Sequence, residues 1–543
     1  MFSKYSVKLE LEKTFYGEIR DPLLGDIRLY RYEMEIMNTS QFQRLRGLRQ
    51  LPGAEYVYPS MTHTRFSHSL GVLGLAIKIV NNSDLKLQDK DLRLLRVAAM
   101  LHDIQEPPFY NAVLHESFVT EELQYAIQAK NIKAMFLECE AKQVQLPVNP
   151  QEVIELLQGK NKQYLKAIIN CEIGANRLDY LQRDSYFCGV KYGLIDDRIL
   201  SSFALEDHNL VLKSEAIHLA EDILHNLYQM KVNVYDHKVV RSVLTLIRDA
   251  FRDAYENHNV ELEHIFAMTD DEFLAKLGPD VIRRLKLRQL PKLVYELNTF
   301  SLKNPSIATN LDKLIREKED SLIKYIAKHS DLKPHDIRIE PVELRRVGDA
   351  DPLYVLYRRK GWSERSDSKR SYEKRLLQES SRTIKEWSEF FYEQWRVFIF
   401  CFVGETWDIS KIDAVREKVA DACDKVLGFL KYGEYDRSAL PEFKEMFSIY
   451  TKEDPKEIRK KVFEQTGLAR HILELFIKNS RLTTDQAGTI LKCSRTSASL
   501  ILNKLAEENL VTKERTGREV TFVLRQNVSE ILKELFQPEI IVK

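Results

Sequence analysis

The sequence predicts a mainly α fold in three parts: a helical region over residues 1–330, a small α+β segment over 331–464 and a C-terminal winged helix over 465–543. Three observations lead there. AVLHESFVTEELQYAIQA and AEDILHNLYQMKVNVYDHKVVRSVLTLIRDAF carry apolar residues at helical spacing, in a region poor in Gly and Pro. DPLYVLYRRKGW and WRVFIFCFVG read as half-buried or buried strands. The last region runs helix, helix-turn-helix, two strands, which is the order of a winged helix.

Bulk properties bound the function. The chain has 543 residues, 44% hydrophobic and 30% charged, enough for two or three domains around a large core. A net charge of +1 gives no whole-chain footprint for nucleic acid or a membrane surface, so any such role needs a local patch. None of the six cysteines forms a CxxC pair, which argues against a zinc ribbon or redox motif and fits a reducing cytoplasm. The opening MFSKYSVKLELEK has no apolar signal core, and no run of 18 apolar residues suggests a membrane span.

Taken in order, GDIRLYRY alternates like a short strand within the mixed opening segment. Helices follow to about residue 330. Between the two later strands, the polar run ERSDSKRSYEKRLLQESSRT reads as a solvated loop. LARHILELFIKNS begins the last region as a helix; Thr484 and Ser494 are N-caps for the next two, and the strands turn at Thr516-Gly517. The recognition-helix position carries Arg495, Thr496, Ser497, Ser499 and Asn503, and the wing carries Lys513, Arg515 and Arg518. From Gly467 to Arg525, ten Lys/Arg against six Asp/Glu leave +4. That excess favours phosphate contact, so DNA is one partner this region would fit. Dimerisation or protein docking suits the same fold.

The chemistry centres on His102-Asp103, inside VAAMLHDIQEPPFY, with His68 34 positions earlier in HTRFSHSLGV. An HD dipeptide alone is a weak signal, and a single buried histidine is more often a satisfied core residue. Two imidazoles and a carboxylate from helical segments nevertheless suit a divalent ion such as Mn, Fe, Ni, Co or Zn, with Mg a harder alternative.

Four separated motifs make this specific. TSQFQRLRGLRQLPGAEYVYPSMTHTRFSHSLGV, LHDIQEPPF, RLDYLQRDSYFCGVKYG and LYQMKVNVYDHKVVRS occur in this order. Together they resemble the HD-domain deoxynucleoside triphosphate triphosphohydrolases, over about residues 15–260 and more loosely to about 450. The resemblance implies cleavage of a dNTP to deoxynucleoside and tripolyphosphate by attack at the α-phosphorus, and a homo-oligomer. It implies His68, His102 and Asp103 as metal ligands, with Asn176 at the fourth position. It places Gln50 and Leu51 at the sugar and base, Arg65 and Arg177 at the phosphates, Tyr180 and Asp184 at the deoxyribose, and Tyr235 and His237 on the substrate wall. His115, in LHES, matches the histidine that serves as general acid.

The chain departs from that pattern. Glu106 and Asn111 stand where the family has histidines, Pro107 where it has glycine, and Asn176 where it has aspartate. Asn38 stands where some relatives use aspartate to recognise an activating guanine nucleotide, so activation by GTP is not expected. Three readings follow. Hydrolysis persists at a rebuilt site, with His115 or Glu106 moving protons and Glu106 restoring charge to the metal. Alternatively the site is degenerate and binds nucleotide, with DNA bound through the winged helix. A third reading is a nuclease acting on DNA or RNA ends. The retained His68, His102, Asp103, Arg65, Tyr180 and Asp184 favour hydrolysis.

Overall fold

A computed structural model describes residues 15–258, 261–298, 308–342, 352–358, 372–386, 396–402, 409–432, 481–483, 486–487, 495–507, 510–516 and 519–524. The chain divides into two compact units. One comprises residues 1–302 and 314–424, and the other 303–313 and 425–543. Both sides of residue 330 therefore belong to the first unit. The fold is mainly α, as the periodicity predicts. Among the described residues no helix is long and apolar enough to cross a membrane.

The first unit opens with a hairpin, Phe15–Asp21 against Gly25–Tyr30. The Asp21 carboxylate accepts from the N–H groups of Leu23 and Leu24, and Gly25 takes φ +78°, so the turn is built into the sequence. The core is a packet of three helices. Arg65–Asn82 packs against both Asp89–Leu101 and Ala175–Cys188. Leu70, Val72, Leu73, Leu94, Leu95, Leu178 and Leu181 fill it. Each such side chain withdrawn from water contributes about 1.5–3 kcal/mol before entropy is charged. The last turns of Asp89–Leu101 are buried on every side (Val97, Ala98, Ala99, Met100, Leu101), which delivers the following His102 into the interior.

The two long helical stretches are interrupted where polar residues have other partners. AVLHESFVTEELQYAIQA becomes a short helix Tyr110–Val113, a turn holding His115 and Glu116, and a new helix Glu121–Ala141. Thr120 starts that helix by accepting from the Leu123 N–H. The second stretch runs as a helix over Ile217–Met230, widens into a π turn over Lys231–Tyr235, and resumes as Lys238–His258.

Two small sheets complete this unit. Arg396–Cys401 lies between Lys292–Asn298 and Ile337–Val342, antiparallel to both. Tyr354–Arg358 pairs in parallel with Asn209–Lys213, which also pairs with Phe203–Glu206. On its other side lies Tyr372–Leu376. This last strand, with the short helix Leu377–Ser380, corrects the loop expected for ERSDSKRSYEKRLLQESSRT. It is an edge strand whose Lys374 and Arg375 are exposed, so it lacks the apolar alternation that marks a buried strand. The first part of the run, 364–371, lies outside the described residues.

In the second unit, Glu519–Leu524 pairs with both Arg481–Thr483 and Val511–Thr516, and the helix Arg495–Glu507 precedes the hairpin. The two strands pair in register from Val511↔Leu524 to Thr516↔Glu519, and residues 517–518 between them lie outside the described residues. Before the preceding helical residues, Thr483 makes capping contacts with Gln486. Its Oγ1 accepts from the Gln486 N–H at 3.2 Å, while Gln486 Oε1 accepts from the Thr483 N–H at 2.8 Å. Leu468–Ser480, Thr484 and Ser494 lie outside the described residues.

Candidate metal centre and active site

Arg65 and His68 sit three residues apart at the start of the Arg65–Asn82 helix, and both reach Asp103. His68 is fully buried. Its Nδ1 lies 2.8 Å from Asp179 Oδ2, and its Nε2 lies 3.3 Å from His102 Nε2. His102 caps the Asp89–Leu101 helix with Nδ1 2.9 Å from the Ala99 carbonyl. Asp103 brings Oδ2 to 3.6 Å from His68 Nε2 and Oδ1 to 3.3 Å from His102 Nε2. The ligand atoms of these three residues all lie within 4.8 Å of one another.

These partners assign the tautomers. A carboxylate and a carbonyl only accept, so each Nδ1 carries a hydrogen, and in the neutral ring each Nε2 is left with a lone pair. Burial, the largest influence, lowers the His102 pKa and so favours the neutral ring. Asn176 Oδ1 adds a further acceptor 3.1 Å from His68 Nε2, with its amide orientation set by donation from Nδ2 to Asn170 Oδ1. Two imidazole lone pairs, a carboxylate and an amide oxygen thus converge with no hydrogen among them. Acceptors at this spacing repel one another unless a cation lies between them, so the residues present fit a divalent ion.

Arg65 closes one side of the cluster. Its Nη1 donates to Asp103 Oδ2 at 2.6 Å, its Nη2 is 3.6 Å from Glu106 Oε2, and its guanidinium lies over the Tyr110 ring. Glu106 stands on a turn after the helix has ended. It faces Arg65 and is not part of the three-residue cluster, unlike the ligand replacement expected from its spacing.

Of the residues placed at the substrate, Gln50 and Leu51 lie on the segment that leads into the Arg65 helix, and Arg177, Tyr180 and Asp184 on the helix that carries Asn176. Arg49 bridges Thr64, and Gln50 N–H donates to the His63 carbonyl at 3.0 Å, which sets Gln50 and the buried Leu51 alongside the Arg65 turn. Gln50 Oε1 is buried with no hydrogen-bond partner among the described residues. The Ala175–Cys188 helix supplies the other wall. Tyr235 Oη donates to Asp184 Oδ2 at 2.8 Å, and the Tyr180 and Tyr235 rings meet edge to face. Arg177 is turned back onto its neighbours, donating to Tyr180 Oη at 3.1 Å and the Glu172 carbonyl at 2.6 Å. His237 packs edge-on to Tyr58 and accepts from the Val239 N–H, and burial lowers its pKa. His115 is half-buried, and its charge acts on Glu340, a buried acid held by Arg241 and Arg248.

Two buried neighbours of these residues escaped the sequence reading. Asp179 stands one turn from Asn176 inside RLDYLQRD, where its spacing to His68 has no meaning until the helices pack. His63, in THTRFSH, is buried, stacks on Phe187 and brings Nε2 to 2.9 Å from Asp184 Oδ1 at an angle poor for a hydrogen bond. Of the residues assigned to nucleic acid, Arg495 and Ser497 lie in the helix Arg495–Glu507, and Lys513 and Arg515 in the strand Val511–Thr516. Arg518 is outside the described residues.

Residues 65–184 match the HD domain, and residues 195–428 match the HD associated region. An uncharacterized protein of Methanocaldococcus jannaschii is 34% identical over 311 residues, covering 54% of this chain and 63% of that protein. A deoxynucleoside triphosphate triphosphohydrolase SAMHD1 homolog of Dictyostelium discoideum is 26% identical over 369 residues, covering 62% and 69%. The crystal structure of a phosphohydrolase from Bacteroides thetaiotaomicron shares the fold, with a TM-score of 0.55 at 19% identity over 72% of this chain and 100% of that one. The chain spans about three fifths of the length of the first two curated relatives it matches. The two matched regions follow one another along the chain, HD domain first and HD associated region second.

Proposed function

We propose that this chain is a divalent-metal-dependent phosphohydrolase that converts deoxynucleoside triphosphates to deoxynucleoside and tripolyphosphate. One observation carries the reading: His68 Nε2, His102 Nε2, Asp103 and Asn176 Oδ1 converge as acceptors beside a wall of Gln50, Tyr180, Asp184 and Tyr235. His68, His102 and Asp103 would hold the ion with the Asn176 amide; the imidazole-rich set suits Mn, Fe, Co, Ni or Zn better than Mg. When bound, a divalent ion polarises a phosphoryl oxygen and lowers the pKa of water. Arg65 offers a forked donor to phosphate oxygens, and Arg177 becomes the second cation once it releases Tyr180 Oη and the Glu172 carbonyl. Gln50 Oε1 and the Asp184 carboxylate are acceptors for sugar hydroxyls, and the edge-to-face Tyr180–Tyr235 pair gives the sugar an aromatic corner to pack against. In the reaction water oxygen bonds the α-phosphorus and the bond to the sugar oxygen breaks. His115 or Glu106 delivers the proton that this oxygen needs to leave as a hydroxyl.

The test is elemental analysis of the purified chain together with product identification for each dNTP. Bound metal and tripolyphosphate are expected, and His102→Ala should abolish both. Lack of metal and of any phosphate product across Mn, Fe, Co, Ni and Mg would sink the reading. Nucleotide binding without turnover would favour a degenerate sensor, and release of mononucleotides from polymer ends a nuclease.

For the second unit, the helix Arg495–Glu507 ahead of the hairpin supports a winged-helix module that contacts DNA phosphates. The proposed protein is a cytoplasmic homo-oligomer, a reading that rests on the family resemblance and on the cysteine usage. DNA affinity that falls with salt and weakens on Arg515→Ala and Arg518→Ala is expected. Light scattering reads the assembly.

A further inference from the structure

Behind His68 runs a line of buried charge that ends on the N-terminal hairpin. Asp179 Oδ2 accepts from His68 Nδ1 at 2.8 Å. Arg183, one turn further along the same helix, donates from Nε to Asp179 Oδ2 and from Nη2 to Oδ1, both at 2.8 Å. Its remaining arm, Nη1, donates to Asp21 Oδ2 at 2.8 Å. Asp21 is itself fixed, because its Oδ1 accepts from the N–H groups of Leu23 and Leu24 in the hairpin turn. His68 and Arg183 are 0% exposed, Asp179 1% and Asp21 6%.

An independent feature makes room for this line. Gly71 sits on the helix that bears His68, three residues further on. A Cβ there would fall 2.0 Å from Asp179 Oδ1 and 2.3 Å from Arg183 Nη2. The helix backbone therefore leaves a slot into which the Asp179–Arg183 pair is pressed. Burying this many ionised groups is a poor way to gain stability, since apolar side chains of the same volume usually do as well or better. A carboxylate on the far nitrogen of a ligating imidazole has a specific use: it fixes the tautomer, orients the ring and raises its basicity toward the ion.

We infer that Asp179 and Arg183, anchored by Asp21, are positioning residues for the metal, and that the N-terminal hairpin is thereby a working part of the metal site. The inference rests on the metal reading above. Asp179 aims His68 Nε2 at the cluster. Arg183 holds Asp179 at both oxygens so that it cannot swing toward the ion, and Asp21 ties Arg183 to a turn that touches no ligand.

The experiment is equilibrium dialysis of the full chain against Mn²⁺, with thermal melts in EDTA alongside. Asp179→Asn is expected to weaken Mn²⁺ binding by about 10–100-fold, in the range for such outer partners. Asp21→Asn, two residues removed from His68 along the line, is expected to weaken it by about several-fold to 10-fold. Asp26→Asn, which breaks the exposed Arg20–Asp26 pair of the same hairpin, should leave the affinity unchanged. If Asp179→Asn fails to fold, Asp21→Asn carries the test. Wild-type Mn²⁺ affinity in both Asp179→Asn and Asp21→Asn would overturn the inference while leaving the metal reading intact. Equal weakening by Asp26→Asn would also overturn it, because the hairpin would then act by general loosening. A wild-type chain that holds no Mn²⁺ would overturn the metal reading, and this inference with it.

Discussion

At the residue scale the centre is short of one negative charge. Asn176 offers an amide oxygen where a carboxylate would neutralise a divalent ion, and Glu106 lies outside the His68–His102–Asp103 cluster, with its Oε2 3.6 Å from Arg65 Nη2. Asn176→Asp is expected to raise divalent-metal affinity by about 10-fold or more, readable by equilibrium dialysis, since added ligand charge tightens such sites. A second prediction concerns Asp270, which is buried and accepts from the N–H groups of Arg49 and Phe109, the latter at φ 45°. It thus ties the Gln50 segment to the loop after His102-Asp103. Burial raises its pKa to about 6, and the two backbone donors offset only part of that. A raised folded-state pKa means that the contribution is full below the unfolded value near 4 and is lost as pH climbs through about 6. Wild-type stability should therefore fall across that window by an amount of order 3 kcal/mol, and Asp270→Asn should lose that slope in melts run from pH 4 to 7. The ligands were legible in the sequence because His68, His102 and Asp103 lie in dense local motifs. Asp179, His63 and Asp270 were not. Each acts on a residue far along the chain, and alone each reads as an ordinary helix or loop polar residue.

At the element scale, the helical content and the Arg396–Cys401 strand follow from apolar spacing, whereas breaks and edges do not. The Lys231–Tyr235 π turn leaves no mark on periodicity, because its flanks keep helical spacing. Yet it ends on Tyr235, the hydroxyl partner of Asp184, and widened turns of this kind often occur at functional sites. The Tyr372–Leu376 strand was hidden by its charged face. Among the described glycines, Gly71 has the closest neighbour to its missing Cβ. Gly71→Ala is expected to cost about 1–3 kcal/mol or more by overpacking, and to weaken metal binding together with stability, since the methyl group would displace Asp179. Denaturant melts paired with Mn²⁺ dialysis check this. Gly74→Ala, whose Cβ would meet the ends of the flexible Leu24 and Ile27 side chains at 3.0 and 3.4 Å, should cost less.

At the scale of the whole molecule, the first unit is not contiguous in sequence and is closed by its later strands. Lys292–Asn298 finds its partner only at Arg396–Cys401, and Glu340 on Ile337–Val342 buries the charges of Arg241 and Arg248. A chain ended at residue 330 would expose the apolar face of Lys292–Asn298 and leave both arginines without Glu340. It is expected to be insoluble or to melt without cooperativity, against a single transition for this unit in the full chain, as read by calorimetry. The sequence supports a change of character near residue 331, where strands begin, but a change of composition is not a boundary when those strands pair across it.

The order of that sheet also sets a schedule for synthesis. The first and second strands to leave the ribosome, Lys292–Asn298 and Ile337–Val342, are the two outer ones and do not pair with each other. Their shared partner, Arg396–Cys401, emerges last. At about 5–20 residues per second, the first strand waits roughly 5–20 s with its backbone groups uncovered. A newborn chain in that interval is the form most exposed to aggregation, and ribosome-associated chaperones would find their target there.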